Sequence, residues 1–263
     1  MTTPVALSIA GSDPSGGAGL QADLKTFHRM GVYGEAVVTL ITVQNTRGLR
    51  RVSVLAAELV AEQIHAVITD IPPKAAKTGA LGSRAVVEAV AAAAEGFAFP
   101  LVVDPVTLSK NGVALMGADA RDAFIAKLLP HAFLLTPNLD EASELTGIEA
   151  RDPASMTRAA QKLIEMGAAN VLVKGGHLEG DATDAIDVLV TRAGLHREYR
   201  AARILTPHTH GTGCTYSAAI TAELAKGFAL PDAIRIAKGF ITEAIRTNPG
   251  LGTSGPVNHF AGK

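Results

Sequence analysis

Val5-Ala6-Leu7-Ser8-Ile9-Ala10 runs straight into Gly11-Ser12-Asp13-Pro14-Ser15-Gly16-Gly17-Ala18-Gly19, after which Leu20, Leu24, Phe27 and Met30 recur at helical spacing as far as Gly31. An apolar run, a glycine-rich loop and an amphipathic segment closed by glycine read as strand, loop and helix. The same unit repeats down the chain. Glu35 to Val43 holds the β-rich Val37-Val38-Thr39-Leu40-Ile41-Thr42-Val43, expected as a strand buried on both faces that stops at Gln44-Asn45-Thr46. Leu59, Gln63 and Val67 mark the next helix, Ala75 to Gly79 a short strand, and Ser83 caps an Ala-rich helix to about Glu95. Leu101-Val102-Val103-Asp104-Pro105 is a strand closed by proline.

Beyond it the pattern predicts a helix over 119–129, a strand over 132–135, a turn at Thr136-Pro137, and helices starting near Asn138 and Ser155. A strand follows from Asn170 to Lys174. Asp184–Val190 and Leu195–Tyr199 alternate around Arg192-Ala193-Gly194, as an antiparallel hairpin near a sheet edge would. Two more helices close the chain, the last with Pro231 in its first turn and Asn248-Pro249-Gly250 after its end. The expected architecture is α/β, a three-layer α/β/α sandwich over a largely parallel sheet, with residues 1–263 as one domain.

Hydrophobic residues make up 48% of the 263 and charged residues 19%, with a formal net charge of −1. That balance describes a soluble globular chain and argues against electrostatic binding to nucleic acid or membrane. The single cysteine excludes an internal disulfide and any cysteine-based zinc site. No signal peptide or membrane-length apolar run is visible, so a cytoplasmic location is expected. Oligomeric state is not legible; a homodimer is one open expectation.

His210-Gly211-Thr212-Gly213-Cys214-Thr215 places two glycines, hydroxyls and the only cysteine just before an apolar run from Ala218 to Lys226. The first amides of a helix lack intrahelical partners and carry partial positive charge, which suits an anion. A thiol at such a helix mouth is expected to favour its thiolate form. The alternative is a glycine-rich turn with a small apolar cysteine as filler. His208 and His210 form an H-x-H pair without a completing carboxylate or thiol, and read as loop histidines.

Two familiar phosphate motifs do not fit. Gly17-Ala18-Gly19-Leu20-Gln21-Ala22 matches a dinucleotide fingerprint by spacing, but it lies too far beyond its strand and the next strand closes without an acidic residue. Gly11 to Gly16 has Walker A spacing with Gly17-Ala18 where Lys-Ser/Thr belongs. Instead Gly11-Ser12-Asp13, Gln44, Lys77-Thr78-Gly79, Asp104, Thr136-Pro137-Asn138 and Lys174-Gly175-Gly176 each follow a predicted strand. In an open parallel sheet such ends converge on one ligand crevice.

Ala10 to Gly19, Gln21-Ala22-Asp23-Leu24-Lys25, Gln44-Asn45-Thr46, Asp104-Pro105-Val106, Thr136-Pro137-Asn138 with Glu141-Ala142, Lys174-Gly175-Gly176-His177, residues 210–215 and Gly255 to Phe260 together resemble the hydroxymethylpyrimidine/phosphomethylpyrimidine kinases of thiamine biosynthesis, in the ribokinase-like superfamily. The resemblance implies ATP- and magnesium-dependent phosphorylation of 4-amino-5-hydroxymethyl-2-methylpyrimidine and then of its monophosphate. It matches Gln44 to the side chain that reads the aminopyrimidine, Gly11 and Asp23 to pocket positions, and Gly211, Thr212, Gly213 and Cys214 to the anion hole, with Cys214 as the catalytic base. Asn138 and Glu141 match an Asn-x-x-Glu element associated with magnesium, and the same spacing is a helix capping box. Asp104 is matched to ordering of metal or phosphates, and Lys174 to the nucleotide phosphates. The chain departs from the pattern at Ala80, where relatives carry a bulkier Met, and in Thr107-Leu108-Ser109-Lys110. Rival readings are a pyridoxal/pyridoxine kinase of the same superfamily, a cysteine-nucleophile acyl transferase or hydrolase, and a non-catalytic pyrimidine sensor.

Overall fold

Alternation along the first strand explains the layering. In β1 (Val5–Ser12), Leu7 and Ile9 join one hydrophobic cluster while Ala6 joins a second. Successive strand residues point to opposite faces, so a strand buried at successive positions must be covered on both. The same split recurs at Leu101 and Val103 against Val102, and at Val171 and Val173 against Leu172. The structure, a computed structural model of the chain, describes residues 3–107, 112, 115–176 and 183–262. His177 and Leu108-Ser109-Lys110 lie outside the described residues.

The strands β2 (Tyr33–Asn45), β3 (Gly48–Val54), β4 (Ala75–Thr78), β5 (Leu101–Val103), β6 (Leu134–Leu135), β7 (Asn170–Gly175), β8 (Asp184–Thr191) and β9 (His196–Ala202) join β1 in one sheet of order β3-β2-β1-β4-β5-β6-β7-β8-β9. Strands β2, β4, β5, β6 and β7 run parallel to β1, and β3, β8 and β9 are antiparallel additions at the two edges. Helices α2 (Ala57–Asp70), α3 (Arg84–Ala94), α4 (Ala118–Ala123), α5 (Leu139–Thr146) and α6 (Pro153–Glu165) cover one face. Helices α1 (Gly19–Arg29), α7 (Thr212–Ala225) and α8 (Leu230–Arg246) cover the other. This is the expected three-layer sandwich. The order of the parallel strands reverses at β1, which opens a crevice at their carboxyl ends.

Three expectations are corrected. The strand at Glu35–Val43 is neither so short nor buried throughout: β2 continues to Asn45 and pairs there with β3, which the sequence reading missed. Ile41 and Val43 are 49% and 45% exposed because the far half of β2 leaves the layered core as a two-stranded flap. On α2 the buried residues are Val60 and Ile64, while Leu59 faces solvent. The helix expected over 119–129 ends as α4 at Ala123, widens into a π turn over Phe124–Leu128 and tightens into a 3₁₀ turn over Leu129–His131. Pro130 has no N–H to continue an α-helical ladder, and β6 shrinks to Leu134–Leu135.

Helix α7 is the spine of its layer. Every residue from Thr215 to Ala225 is buried, so it is not the one-sided helix that its apolar spacing implied. Ala218, Ala219 and Ala222 let α1 and α8 approach it. Its start is thereby fixed under the crevice.

Candidate active site

The left-handed backbone at Gly211 (φ 77°) turns the chain into α7, and no side chain caps that helix start. A Cβ at Gly211 would stand 1.8 Å from the Gly17 carbonyl oxygen, so only glycine lets this loop mesh with the β1–α1 loop. Thr212 turns both its amide (3.2 Å) and its hydroxyl (2.8 Å) back to the Thr209 carbonyl. That leaves the amides of Gly213 and Cys214 to face an anion. A Cβ at Gly213 would lie 3.4 Å from Lys174 Nζ and 3.8 Å from Asp104 Oδ2, which places the amide cradle against those two charges.

Asp104 follows β5 and Lys174 lies near the end of β7, with β6 between them in the sheet. Lys174 Nζ donates to Asp104 Oδ1 at 2.9 Å, Thr136 Oγ1 donates to the same oxygen at 3.0 Å, and Ser217 Oγ donates to Oδ2 at 3.2 Å. Burial alone would raise the Asp104 carboxyl, but Lys174 and Lys77 outweigh it and hold it below the usual carboxylate value. Burial works against charge on Lys174 as well, and Asp104 with Glu141 more than offsets it. The pair is therefore charged.

Asn138 and Glu141 form the capping box their spacing predicts: Glu141 N donates to Asn138 Oδ1 and Asn138 N donates to Glu141 Oε2, each at 2.8 Å. Burial pushes the Glu141 carboxyl up to about 7, with Lys174 opposing and Asp104 and Asp140 adding to the rise.

Cys214 overturns one expectation. Partly exposed to the cavity, its thiol is pushed up to about 11 by burial; Lys77 opposes this, and Asp23 and Asp104 reinforce it. The helix start and Lys77 do not overcome that burial, so the thiol, not the thiolate, is the resting form at neutral pH. Asp23, matched to a pocket position, lies beneath the cavity lining. Fully buried, it accepts from Lys77 Nζ at 2.8 Å and Ser8 Oγ at 2.5 Å. The pair is a buried charge beneath Cys214, which no local pattern announces because Lys77 is far along the chain.

A cavity of about 400 Å³ takes in Gly11, Gln44, Asp104, Asn138, Glu141, Lys174 and Gly211 to Cys214 together. Its far wall was missed in sequence. Asp187 on β8 accepts from Tyr216 Oη at 3.0 Å and Lys238 Nζ at 2.7 Å, and all three line the cavity. His210 is a loop histidine as expected, and its Nε2 donates to Asp13 Oδ2 at 2.8 Å.

The family model for phosphomethylpyrimidine kinase matches residues 13–258. A hydroxymethylpyrimidine/phosphomethylpyrimidine kinase of Rhizobium meliloti is 48% identical over 98% of this chain and 97% of its own. Two solved structures share the fold. A phosphomethylpyrimidine kinase from Clostridium difficile has a TM-score of 0.81 at 41% identity, covering 92% of this chain and 100% of its own. The pyridoxal kinase of Staphylococcus aureus, in complex with AMP-PCP and pyridoxal, has a TM-score of 0.88 at 33% identity over 99% and 95%.

Proposed function

The chain belongs to the phosphomethylpyrimidine kinase family, and from that premise we propose how its residues divide the work of phosphoryl transfer. The protein is an ATP-dependent hydroxymethylpyrimidine/phosphomethylpyrimidine kinase of thiamine biosynthesis, phosphorylating 4-amino-5-hydroxymethyl-2-methylpyrimidine and then its monophosphate. One observation carries the assignment of roles: a single cavity joins Gln44, Cys214 and the Lys174–Asp104 pair.

Phosphoryl transfer asks the protein mainly for positioning and charge stabilisation. Gln44 offers a donor and an acceptor to a ring nitrogen and its neighbouring amine. The Gly213 and Cys214 amides with Lys174 face the charge that develops on the transferred group. Gly11 shapes the floor between them, where a Cβ would meet Leu40 at 2.5 Å. Asp104 holds Lys174, and both of its oxygens are already engaged.

Among the described residues no group of three or more His, Cys, Asp or Glu side chains could hold a metal ion by itself. Magnesium needs no such cage, because it keeps several waters and takes one or two carboxylates with substrate phosphates. Glu141 fits that part: it is a buried carboxyl with one oxygen in the capping box and a charge left without a full partner. Asp104 would support the ion through bound water, and Asn138 would orient Glu141. Magnesium would neutralise charge on the transferring phosphoryl group.

Glu141→Gln keeps the cap acceptor and removes the charge, so activity should fall and need more magnesium while the melting temperature moves little. In the wild type the carboxyl is raised to about 7, so a proton competes with the cation as pH falls through 7. The magnesium requirement should therefore climb below neutrality in the wild type and not in Glu141→Gln. A lower melting temperature with unchanged magnesium dependence would leave Glu141 as a cap alone.

Gln44→Ala should weaken the pyrimidine by roughly 1–3 kcal/mol, as expected when groups in a specific polar site lose their partner, and leave ATP affinity nearly unchanged. Substrate titration reads both. ADP release dependent on hydroxymethylpyrimidine tests the activity itself, and pyridoxal is the informative competitor because a pyridoxal kinase shares this fold. Ala80 lines the cavity and leaves room at the ring. Faster turnover of pyridoxal than of the pyrimidine would reverse the assignment of substrate.

A further inference from the structure

Residues 252–257 follow α8 and include the start of the Gly255 to Phe260 motif, which the roles above leave unused. From the structure we infer that Thr46 is a positioning residue, which holds the Gln44 end of β2 against the anion-hole loop through this segment; the inference rests on the functional reading just given. The last residue of β2 paired with β1 is Ile41, so Gln44 stands on the two-stranded flap, paired with Leu49 of β3. Two residues further on, the Thr253 amide donates to Thr46 Oγ1 at 3.2 Å and the Ser254 amide donates to the Thr46 carbonyl at 3.3 Å. The segment passes close by: a Cβ on Gly252, whose φ is 66°, would collide with the Thr46 side chain, 2.8 Å from its Cβ. Only glycine fits there.

The other end of the segment is bonded to the anion-hole loop. The Gly255 amide donates to His208 Nδ1 at 3.0 Å, the His210 amide donates to the Gly255 carbonyl at 3.1 Å, and the Val257 amide donates to the His210 carbonyl at 3.3 Å. His210 is the residue before Gly211, where the chain turns into α7. Beyond this point the chain is anchored in the helical layer. Val257 is buried in the cluster that α7 and α8 share, and the Asn258 amide donates to the Ala244 carbonyl of α8 at 2.9 Å. His259 Nε2 shares a hydrogen bond with Thr215 Oγ1 of α7 at 3.1 Å. Fixed in this way, the segment carries the position of the helix start across to the flap. A pyrimidine ring read by Gln44 presents its exocyclic oxygen to the amides of Gly213 and Cys214 only if the separation of the two is held, and Thr46 supplies the side-chain bond that holds it at the flap. Thr46 also lines the cavity, whereas Gly252 and His208 lie outside the lining, so the two kinds of position separate an indirect role from direct contact with the ring.

Thr46→Val keeps the branched shape and removes the acceptor for the Thr253 amide. It should raise the pyrimidine KM about fivefold, the usual net contribution of one hydrogen bond, and leave the ATP KM unmoved. Thr46→Ser keeps the oxygen and should stay at the wild-type KM. Gly252→Ala forces the segment off Thr46 and should raise the same KM from outside the cavity. The two effects should not multiply when combined, because each releases one shared contact, and in a Gln44→Ala background neither should add to KM. General loosening of the fold would instead lower the active fraction, and with it kcat and the melting temperature, at an unchanged KM. An unchanged pyrimidine KM in Thr46→Val overturns the inference. So does a raised KM in Thr46→Val with Gly252→Ala indifferent, which would make Thr46 a direct contact of the substrate. Should Gly252→Ala fail to fold, His208→Ala, which removes the acceptor for the Gly255 amide, takes its place with the same two outcomes. Wild-type protein that turns over no pyrimidine would sink the functional reading and this inference together, whereas wild-type turnover with an indifferent Thr46→Val removes the inference alone.

Discussion

In Cys214→Ala, phosphorylation of hydroxymethylpyrimidine is expected to slow by about 10²–10⁴-fold, the usual contribution of a general base, while phosphorylation of the monophosphate slows far less. An alcohol is a poor nucleophile until its proton is leaving. A phosphomonoester has its second pKa near 6, is already mostly dianionic at neutral pH and needs no base. The structure adds a second signature. With the thiol pushed up to about 11 by burial, only a small thiolate fraction serves the first step at neutral pH, so its kcat/KM should rise with pH well above 8. Cys214→Ala should lose that rise, and the monophosphate step should lack it in both proteins. Single-turnover rates for the two acceptors across pH measure this. Equal loss in both steps would mean that Cys214 acts by shaping the loop, and little loss in either would make it a packing residue.

Lys174→Met is expected to cut both steps alike, by about 10²–10³-fold, because charge stabilisation at the transferred phosphoryl group serves either acceptor. The contrast with Cys214→Ala is diagnostic: one group acts on the acceptor, the other on the transferred phosphate. Stability should fall as well. Asp104 is 3% exposed and would lose its nearest cation, and breaking a buried pair costs about 3–5 kcal/mol, moderated here by the Thr136 and Ser217 hydroxyls. The sign with pH follows from the lowered Asp104 pKa. In the wild type the folded state holds this carboxyl ionised more readily than the unfolded chain, whose value is 3.8, so the stabilisation is present above that value and lost as pH falls below it. The stability gap between wild type and Lys174→Met should thus be widest at neutral pH and close in acid. Denaturant titrations at several pH values would show it, and a gap that widens in acid would contradict the ion pair.

The sequence by itself determined the layers and the location of the site. Apolar runs closed by glycine, proline or a capping residue are local facts, and a chain that repeats them must cover both faces of a parallel sheet. Its loops then gather at the carboxyl ends of the strands. Gln44, Asp104, Asn138, Lys174 and Gly211 to Cys214 were legible for that reason, as was the Asn138–Glu141 box, whose partners lie one helical turn apart. Only the tertiary structure decided what each charge does. Asp23 became a buried partner of Lys77, Asp104 a support for Lys174, Asp13 a partner of His210, and Cys214 a protonated thiol. Each of these depends on burial and on a partner distant along the chain, and charge, hydration and hydrogen bonding are set by the groups within a few ångströms in space. Strand β3 escaped for a related reason: its stability comes from pairing with β2, and a two-residue turn with a polar, exposed strand leaves little apolar pattern to read.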